Sequence, residues 1–290
     1  MDFITTLING LSLGGIYAMI ALGYTMVYGI AKMLNFAHGD VIMVGGYTIM
    51  VFLNLNAHPV AAVGAAVVFC VILGIVMEKL AYKPLRGASP LAVLITAIGV
   101  SYLLQSTAQI IFGSAAKMVN IADMGKITIG GVTIQGYTLF SLACSIVVMI
   151  ILSVFVKFSK TGRAMIAVSE DRGAAQLMGI NINKIITITF AIGAALAALA
   201  GLLYLLKAPQ ITNTFGALPG IKAFTAAVIG GIGSIPGAML GGILLGIVEN
   251  VCYKIDFIAP YTDAIEFSIL ILILLVRPTG ILGKKRREKV

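Results

Sequence analysis

Long segments without a charged residue restrict this chain more than any other feature of its sequence. Among its 290 residues, Asp, Glu, Lys and Arg are absent from five long segments, namely Phe3–Ala31, Gly87–Ala116, Ile127–Val156, Ile185–Leu206 and Ala223–Val248. Each exceeds the about 20 apolar residues that a helix needs to cross a bilayer. Charged residues make up only 11% of the chain and hydrophobic residues 60%, whereas an average soluble domain is about 25% charged. The sequence therefore excludes a soluble enzyme of ordinary design and predicts a polytopic membrane protein.

The apolar runs and the residues that interrupt them predict an all-α transmembrane helical bundle of about eight to nine spans, some of them broken or short. The spans are expected near residues 7–30, 41–56, 60–77, 90–113, 130–156, 185–206, 219–252 and 258–276. The whole chain, 1–290, is expected to form a single transmembrane domain. Within it, residues 157–184 form a polar loop and residues 277–290 form a basic tail.

The positions of Lys and Arg predict how the chain is oriented in the membrane. Positive charges gather after the first, third and fifth spans, at Lys32, at Lys79, Lys83 and Arg86, and at Lys157, Lys160, Arg163, Arg172 and Lys184. Because loops rich in Lys and Arg stay on the cytoplasmic side, the N-terminus is expected outside and the 157–184 loop in the cytoplasm. The net charge of +9 then reflects these loops and a tail beside anionic lipid headgroups, rather than binding to nucleic acid.

A glycine-rich segment that contains Pro236, residues 230–237, interrupts the apolar run 219–252. Proline removes a backbone donor, and glycine is a weak helix former. We therefore predict two shorter helices, 219–233 and 236–252, which give an even number of crossings after residue 184 and a cytoplasmic tail. Irregular backbone at that depth must be shielded by protein or face a water-filled cavity. The alternative is one kinked helix with the tail outside.

The chain lacks the residue patterns that membrane enzymes and motors need. It has two histidines, His38 and His58, and neither a P-loop nor a nucleophile elbow is present. A His-Glu-x-x-His zinc site is likewise absent, so the usual routes to hydrolysis are missing. We expect no catalytic residue, no metal site and no cofactor bound by this chain. Active transport would then need energy from another subunit.

Acidic residues near the ends of predicted spans bear on the type of transporter. They are Glu78, Glu249, Asp263 and Glu266. Ion-coupled carriers usually place carboxylates or Lys inside their spans. We interpret these residues as interfacial charges at helix ends, which disfavours an ion-coupled carrier without excluding it.

The polar loop 157–184 is predicted to contain a short exposed helix, because its small, apolar and charged residues alternate at helical spacing. Ser169 is placed to cap this helix, and Gly179 is placed to end it. Glu170 and Asp171 would lie at the positive end of the helix dipole. Such a helix fits a groove on a partner protein. The residues expected to form the contact are Glu170, Asp171, Ala174, Ala175, Leu177 and Gly179.

The same loop resembles the cytoplasmic coupling helix of ABC-transporter permeases, whose consensus is Glu-Ala-Ala followed, after three intervening residues, by Gly. Ala174, Ala175 and Gly179 match that spacing. Gly173 stands at the position of the consensus Glu, and acidic side chains are supplied instead by Glu170 and Asp171. The resemblance implies that the contact residues of the loop bind an ATPase.

Other segments resemble the branched-chain amino-acid permeases of the LivH type. They are 24–29 (Tyr-Thr-Met-Val-Tyr-Gly), 35–40 (Asn-Phe-Ala-His-Gly-Asp), 81–86 (Ala-Tyr-Lys-Pro-Leu-Arg), 222–228 (Lys-Ala-Phe-Thr-Ala-Ala-Val), 230–238 (Gly-Gly-Ile-Gly-Ser-Ile-Pro-Gly-Ala) and 277–283 (Arg-Pro-Thr-Gly-Ile-Leu-Gly). The likeness covers nearly the whole chain, and it is weakest over residues 113–135.

The resemblance implies an inner-membrane importer subunit that works by alternating access. Its expected partners are a second permease of the LivM type, two ATPases of the LivG and LivF types that hold ATP and Mg²⁺, and an extracytoplasmic binding protein. Leu, Ile and Val are the expected substrates. Urea, short amides or other amino acids are the alternative, since permeases of the same superfamily carry them.

Candidate residues for the translocation path come from the first loop and from the glycine-rich break, where the resemblance implies that free backbone amides and carbonyls meet a zwitterionic substrate. They are Asn35, His38, Gly231, Gly233 and Ser234. A competing interpretation is that Asn35, His38 and Asp40 cap and hydrogen-bond the turn between two spans. Competing functions are a secondary carrier or channel that works alone, and a structural membrane subunit without a path.

Overall fold

The structure is a computed structural model that describes residues 2–121, 124–129 and 132–283. Its α-helices are α1 (Asp2–Ala31), α2 (His38–Asn54), α3 (Pro59–Met77), α4 (Pro90–Phe112), α5 (Gly136–Phe158), α6 (Lys160–Glu170), α7 (Arg172–Leu177), α8 (Ile182–Lys207), α9 (Ala217–Gly230), α10 (Ile235–Tyr253) and α11 (Thr262–Val276). A π-helical turn, Glu78–Tyr82, and a 3-10 turn, Lys83–Leu85, continue α3, and a further 3-10 turn, Ala259–Tyr261, precedes α11. Residues 284–290 of the predicted basic tail lie outside the described residues.

The helices confirm the predicted all-α, polytopic membrane bundle. Within the described residues, seven helices are long and apolar enough to span a membrane: Phe3–Ala31, Pro59–Leu85, Pro90–Phe112, Gly136–Phe158, Ile182–Lys207, Ile235–Tyr253 and Ala259–Val276. Helix α9 is a shorter apolar helix, and α2 has 17 residues. Short helices of this kind account for the difference between seven and the eight to nine spans expected from the sequence.

The predicted interruption of the run 219–252 is confirmed, because α9 and α10 are separate helices. Gly231 and Gly233 between them have φ angles of +110° and +94°, which lie in the region that glycine adopts most easily. Ser234 caps α10, since its hydroxyl accepts a hydrogen bond from the Gly237 amide at 3.3 Å. The alternative of one kinked helix is wrong.

The predicted span 130–156 is wrong over residues 132–135, and its first two positions, 130 and 131, lie outside the described residues. Strands β2 (Lys126–Ile129) and β3 (Val132–Gln135) form an antiparallel pair in which Thr128 lies opposite Thr133. Helix α5 begins only at Gly136. These strands are rich in Ile, Val and Thr, and β-branched residues favour extended backbone over helix. Hydropathy therefore predicts a membrane helix where these apolar residues form strands. Two shorter strands, β1 (Lys117–Met118) and β4 (Gln210–Ile211), also pair with each other.

The chain divides into two compact units by its internal contacts. Unit 1 comprises Met1–Thr25, Met124–Met149 and Lys222–Val290. Unit 2 comprises Met26–Asp123 and Ile150–Ile221. That residues 1–290 form a single transmembrane domain stays a prediction.

Each unit has its own closely packed interior. In unit 1, α1 crosses α10 so closely that a Cβ atom on Gly246 would lie 2.2 Å from the Gly14 nitrogen. In unit 2, α2, α3 and α8 pack against one another, and a Cβ on Gly45 would lie 3.0 Å from the Ala198 Cα. Small residues let helix backbones approach in this way, which is how helices associate where lipid offers no hydrophobic driving force.

Candidate functional site

The polar loop forms two helices, α6 and α7, which we call the docking segment (residues 160–180). The predicted cap is wrong: Asp171, not Ser169, caps the helix that carries the contact residues. The Asp171 carboxylate accepts a hydrogen bond from the Ala174 amide at 3.0 Å, whereas the Ser169 hydroxyl donates to the Ile166 carbonyl within α6 at 2.7 Å. Helix α6 continues through Glu170, and Asp171 is extended with a φ of −150°. Asp171 is therefore the residue that interrupts the helix and starts the next one.

The predicted end of the docking segment at Gly179 is confirmed. Gly179 has a φ of +81°, and the Ile180 amide donates to the Ala175 carbonyl at 3.0 Å. A glycine in the left-handed region with a hydrogen bond that reaches back over the last turn is a common helix terminus. Any other residue at this position would strain the backbone.

Only part of the predicted contact surface faces outward. Leu177 is 90% exposed, whereas Ala175 is 4% exposed and faces inward. Ala174 and Met178 lie on the exposed side with Leu177, as do Glu170, Asp171 and Gly179. The docking segment thus presents large apolar side chains beside acidic ones on its exposed face. Ala175 is buried on the opposite face of the same helix. Exposed apolar groups that are rimmed by polar residues mark interaction sites.

The docking segment packs against other helices of unit 2, to which it belongs. Met165 and Val168 of α6 are buried, and α6 and α7 both pack against α8. The Arg172 guanidinium donates to the Ile30 carbonyl in the last turn of α1 at 2.8 Å. A displacement of the exposed face must therefore move the ends of these longer helices with it.

The first-loop residues make hydrogen bonds to other parts of unit 2. The Asn35 side-chain oxygen accepts from the Tyr82 hydroxyl at 2.7 Å, and the Asp40 carboxylate accepts from the Gln105 side-chain amide at 2.8 Å. His38 is buried at the start of α2. Asn35 and His38 therefore belong to a buried polar region, and their role in a translocation path stays a prediction.

The glycine-rich break is a closed structure rather than a set of free backbone groups. The Ile281 amide donates to the Ile229 carbonyl, and the Leu282 amide donates to the Gly230 carbonyl, both at 2.9 Å. Ser234 is engaged in capping α10. The expectation that free carbonyls at the break await a ligand is therefore wrong for Ile229 and Gly230, because the segment after α11 already occupies them.

Sequence reasoning missed a buried ionic network in unit 1, which we call the Lys222 network. The Lys222 ammonium lies 2.8 Å from the Asp263 carboxylate and 3.2 Å from those of Glu249 and Glu266. The Tyr17 hydroxyl donates to Glu249 at 2.7 Å. Glu249 and Glu266 are buried within the protein, so their side chains are enclosed by neighbouring helices; that they lie at the membrane interface stays a prediction. Lys222 itself was the available signal, since a lysine within an apolar helix requires a partner.

A second polar cluster was missed in unit 2. Glu78 lies at the end of α3, as the sequence predicts, but its side chain is fully buried within the protein. Its carboxylate pairs with the Arg86 guanidinium and accepts a hydrogen bond from the Thr187 hydroxyl at 2.7 Å. Arg86 also donates to the Asn183 side chain. The sequence gives no sign of this cluster, because Glu78 stands beside Lys79 at a helix end like an ordinary surface residue.

Comparison with known proteins supports one family. Residues 6–274 match the model of a family described as the permease component of the branched-chain amino acid transport system. The chain is 44% identical to the high-affinity branched-chain amino acid transport system permease protein BraD of Pseudomonas aeruginosa, over 99% of this chain and 98% of that protein. It is 42% identical to the corresponding protein LivH of Escherichia coli K12, over the same shares.

Comparison with solved structures supports the fold. The chain is similar to a chain in the structure of PsaBC from Streptococcus pneumoniae in complex with Fab, with a TM-score of 0.52. The sequence identity is 12%, and the match covers 93% of this chain and 91% of that chain.

Proposed function

Because this chain belongs to the family of branched-chain amino acid transport permease components, we propose that it is the membrane-spanning subunit of an ABC importer. The proposed substrates are Leu, Ile and Val, and the proposed location is the cytoplasmic membrane. Urea, short amides or other amino acids are the competing substrates. The exposed docking face at Leu177 carries the proposal, because a large apolar side chain that is 90% exposed at the end of a short, anchored helix suits a groove on a partner.

The proposed partners follow from the same family. ATPases of the LivG and LivF types bind ATP and Mg²⁺ and grip the docking segment, while a second permease of the LivM type and an extracytoplasmic binding protein complete the importer. The sequence of this chain contains no P-loop, so the free energy for transport comes from those subunits. Nucleic acid is not a partner in this proposal.

The proposed mechanism is alternating access driven through the docking segment. Closure of the ATPases on ATP displaces α6 and α7, and the helices to which they are attached move as rigid elements. The proposed path lies between the two permeases. Asn35, His38, Gly231, Gly233 and Ser234 are its proposed lining residues in this chain.

The test begins with two variants of the docking segment, Gly179→Asp and Glu170→Lys. Gly179→Asp strains a backbone with a φ of +81° and places a charge at the helix end, whereas Glu170→Lys reverses an exposed charge. Both are expected to lower uptake by about tenfold or more, a coupling loss of the usual size for such contacts, while the protein stays in the membrane. The measurements are uptake in proteoliposomes and co-purification of the ATPases.

A matched control is Asp256→Lys, which reverses another exposed acidic residue in the segment between α10 and α11. It is expected to leave uptake and co-purification unchanged. Uptake by the purified chain alone would instead support a carrier that works without ATPases. Stimulation of ATP hydrolysis by urea or amides, but not by Leu, Ile or Val, would correct the substrate.

A further inference from the structure

The Glu78 cluster lies where α8 leaves the docking segment, and we call its residues the joint (Glu78, Arg86, Asn183 and Thr187). Asn183 and Thr187 are in the first turns of α8, and Glu78 begins the π-helical turn that continues α3. The Thr187 hydroxyl donates to the fully buried Glu78 carboxylate at 2.7 Å, and Arg86 links Glu78 to Asn183. The joint therefore connects the beginning of α8 to the end of α3.

Only a short connection separates the docking segment from the helix that carries Asn183 and Thr187 of the joint. Helix α7 ends at Leu177, and α8 begins at Ile182. The connection between them is held at both ends, since the Ile180 amide donates to the Ala175 carbonyl at 3.0 Å and the Lys184 amide donates to the Asn181 side chain at 3.1 Å. Because the connection is short and is bonded at both ends, we expect a displacement of α7 to move the start of α8 with it.

The far side of the joint leads to the first loop. The π-helical turn runs from Glu78 to Tyr82, and turns of this kind occur inside helices at functional sites. Tyr82 is buried, its ring centroid lies 5.1 Å from that of Phe190 in α8, and its hydroxyl donates to the Asn35 side chain at 2.7 Å. The turn thus has the α8 bond at one end and a candidate path residue at the other.

We propose that Thr187, Glu78 and Tyr82 form a relay that passes displacement of the docking segment through α8 and the π-helical turn to Asn35. Thr187 and Glu78 are positioning residues, because they act on Asn35 through Tyr82. The proposal rests on the proposed importer function, since it needs an ATPase to move the docking segment. The observation that tests the relay is a measured coupling between its members.

The experiment uses the complete importer in proteoliposomes, and it measures leucine uptake and ATP hydrolysis in the same sample. Thr187→Val removes the hydroxyl that binds Glu78, and Tyr82→Phe removes the hydroxyl that binds Asn35. Each variant is expected to lower the number of leucine molecules taken up per ATP by about fivefold, at the lower end of typical coupling effects. Co-purification of the ATPases is expected to be unchanged.

A matched control is available in the same helix. The Thr189 hydroxyl donates to the Ile185 carbonyl of α8 itself at 2.8 Å, so Thr189→Val makes the same substitution in the same helix but outside the joint. It is expected to leave the uptake per ATP unchanged. Thr187→Ser keeps the hydroxyl, so its uptake per ATP is expected to equal that of the wild type, unlike that of Thr187→Val. These two variants separate loss of the relay from a general effect on folding.

The double variant Thr187→Val/Tyr82→Phe tests whether the two bonds act in series. In a serial relay the second loss adds nothing, so the double variant is expected to take up as much leucine per ATP as the single variant with the lower uptake per ATP. Four outcomes would each overturn the relay while the importer function stands. The single variants could leave the uptake per ATP unchanged, or Thr189→Val could lower it equally. Thr187→Ser could fail to keep the wild-type ratio, or the losses could multiply in the double variant. Failure of the wild-type complex to couple ATP hydrolysis to uptake would instead overturn the proposed function.

Discussion

The Lys222 network and the joint both bury carboxylates among helices, but they balance charge in opposite ways. In the Lys222 network, one ammonium faces the carboxylates of Glu249, Asp263 and Glu266. In the joint, the Glu78 carboxylate faces one guanidinium together with a hydroxyl. The Lys222 side chain is 2% exposed, whereas the Arg86 side chain is 16% exposed. One network therefore depends on a single interior cation, and the other shares its charge with neutral groups near the surface.

The difference indicates two purposes for buried charge in one chain. Loss of Lys222 would leave the two buried carboxylates, those of Glu249 and Glu266, without a compensating cation, which is costly wherever it occurs. Loss of a neutral partner in the joint would leave Glu78 still paired with Arg86. The Lys222 network is therefore suited to hold helices of unit 1 in one arrangement, whereas the bonds of the joint can be altered one at a time.

Lys222→Met is expected to have the largest effect on stability. It leaves Glu249 and Glu266 buried without a cation, and removal of one partner from a buried ion pair lowers the free energy of unfolding by about 3–5 kcal/mol. The measurement is thermal unfolding of the purified chain in detergent, followed by loss of helical circular dichroism. Addition of Glu266→Gln to this variant should recover part of the loss, because it removes one uncompensated charge. Unfolding at the wild-type temperature would show that Lys222 does not hold the network.

Glu78→Gln is expected to have an intermediate effect. The amide still accepts from Thr187, but Arg86 loses its charged partner, and a hydrogen bond to a charged group contributes about 1.5 kcal/mol at the lower end of the usual range. The same unfolding measurement applies, with Lys79→Gln as the control because Lys79 is the exposed neighbour of Glu78. A loss as large as that of Lys222→Met would remove the distinction between the two clusters.

Asp263→Asn is expected to have the smallest effect. The Asp263 side chain is 50% exposed, and an exposed ion pair contributes about 0.2–1 kcal/mol. The substitution also leaves Lys222 with Glu249 and Glu266, so the network keeps its two buried carboxylates. The unfolding temperature of Asp263→Asn should lie close to that of the wild type. A large decrease would mean that all three carboxylates contribute equally, which contradicts the present description of the network.

The helices of the bundle could be predicted because their signals are local. Apolar runs longer than a bilayer requires identify spans, and Pro236 with its neighbouring glycines identified the break between α9 and α10. The same reasoning failed before α5, because hydropathy does not distinguish the Ile- and Val-rich strands β2 and β3 from the start of a membrane helix. Residue type, rather than hydropathy, carried the missing information.

The candidate site could be predicted only in part for the same reason. Gly179 was identified because a left-handed helix end is a property of a few adjacent residues. The inward orientation of Ala175 depends on how α7 packs against α8, and the partners of Lys222 and Glu78 come from distant helices. Such contacts are determined by tertiary packing, and a single sequence does not specify them.

The hydrogen bonds from Ile281 and Leu282 to the end of α9 have a practical consequence for protein engineering. An affinity tag or fluorescent protein joined directly to the end of α11 would remove the two amides that satisfy the Ile229 and Gly230 carbonyls. It would also displace Gly280 and Gly283, whose backbones lie against Gly231. Any such fusion should therefore begin after Gly283, so that residues 277–283 keep their contacts with the interruption between α9 and α10.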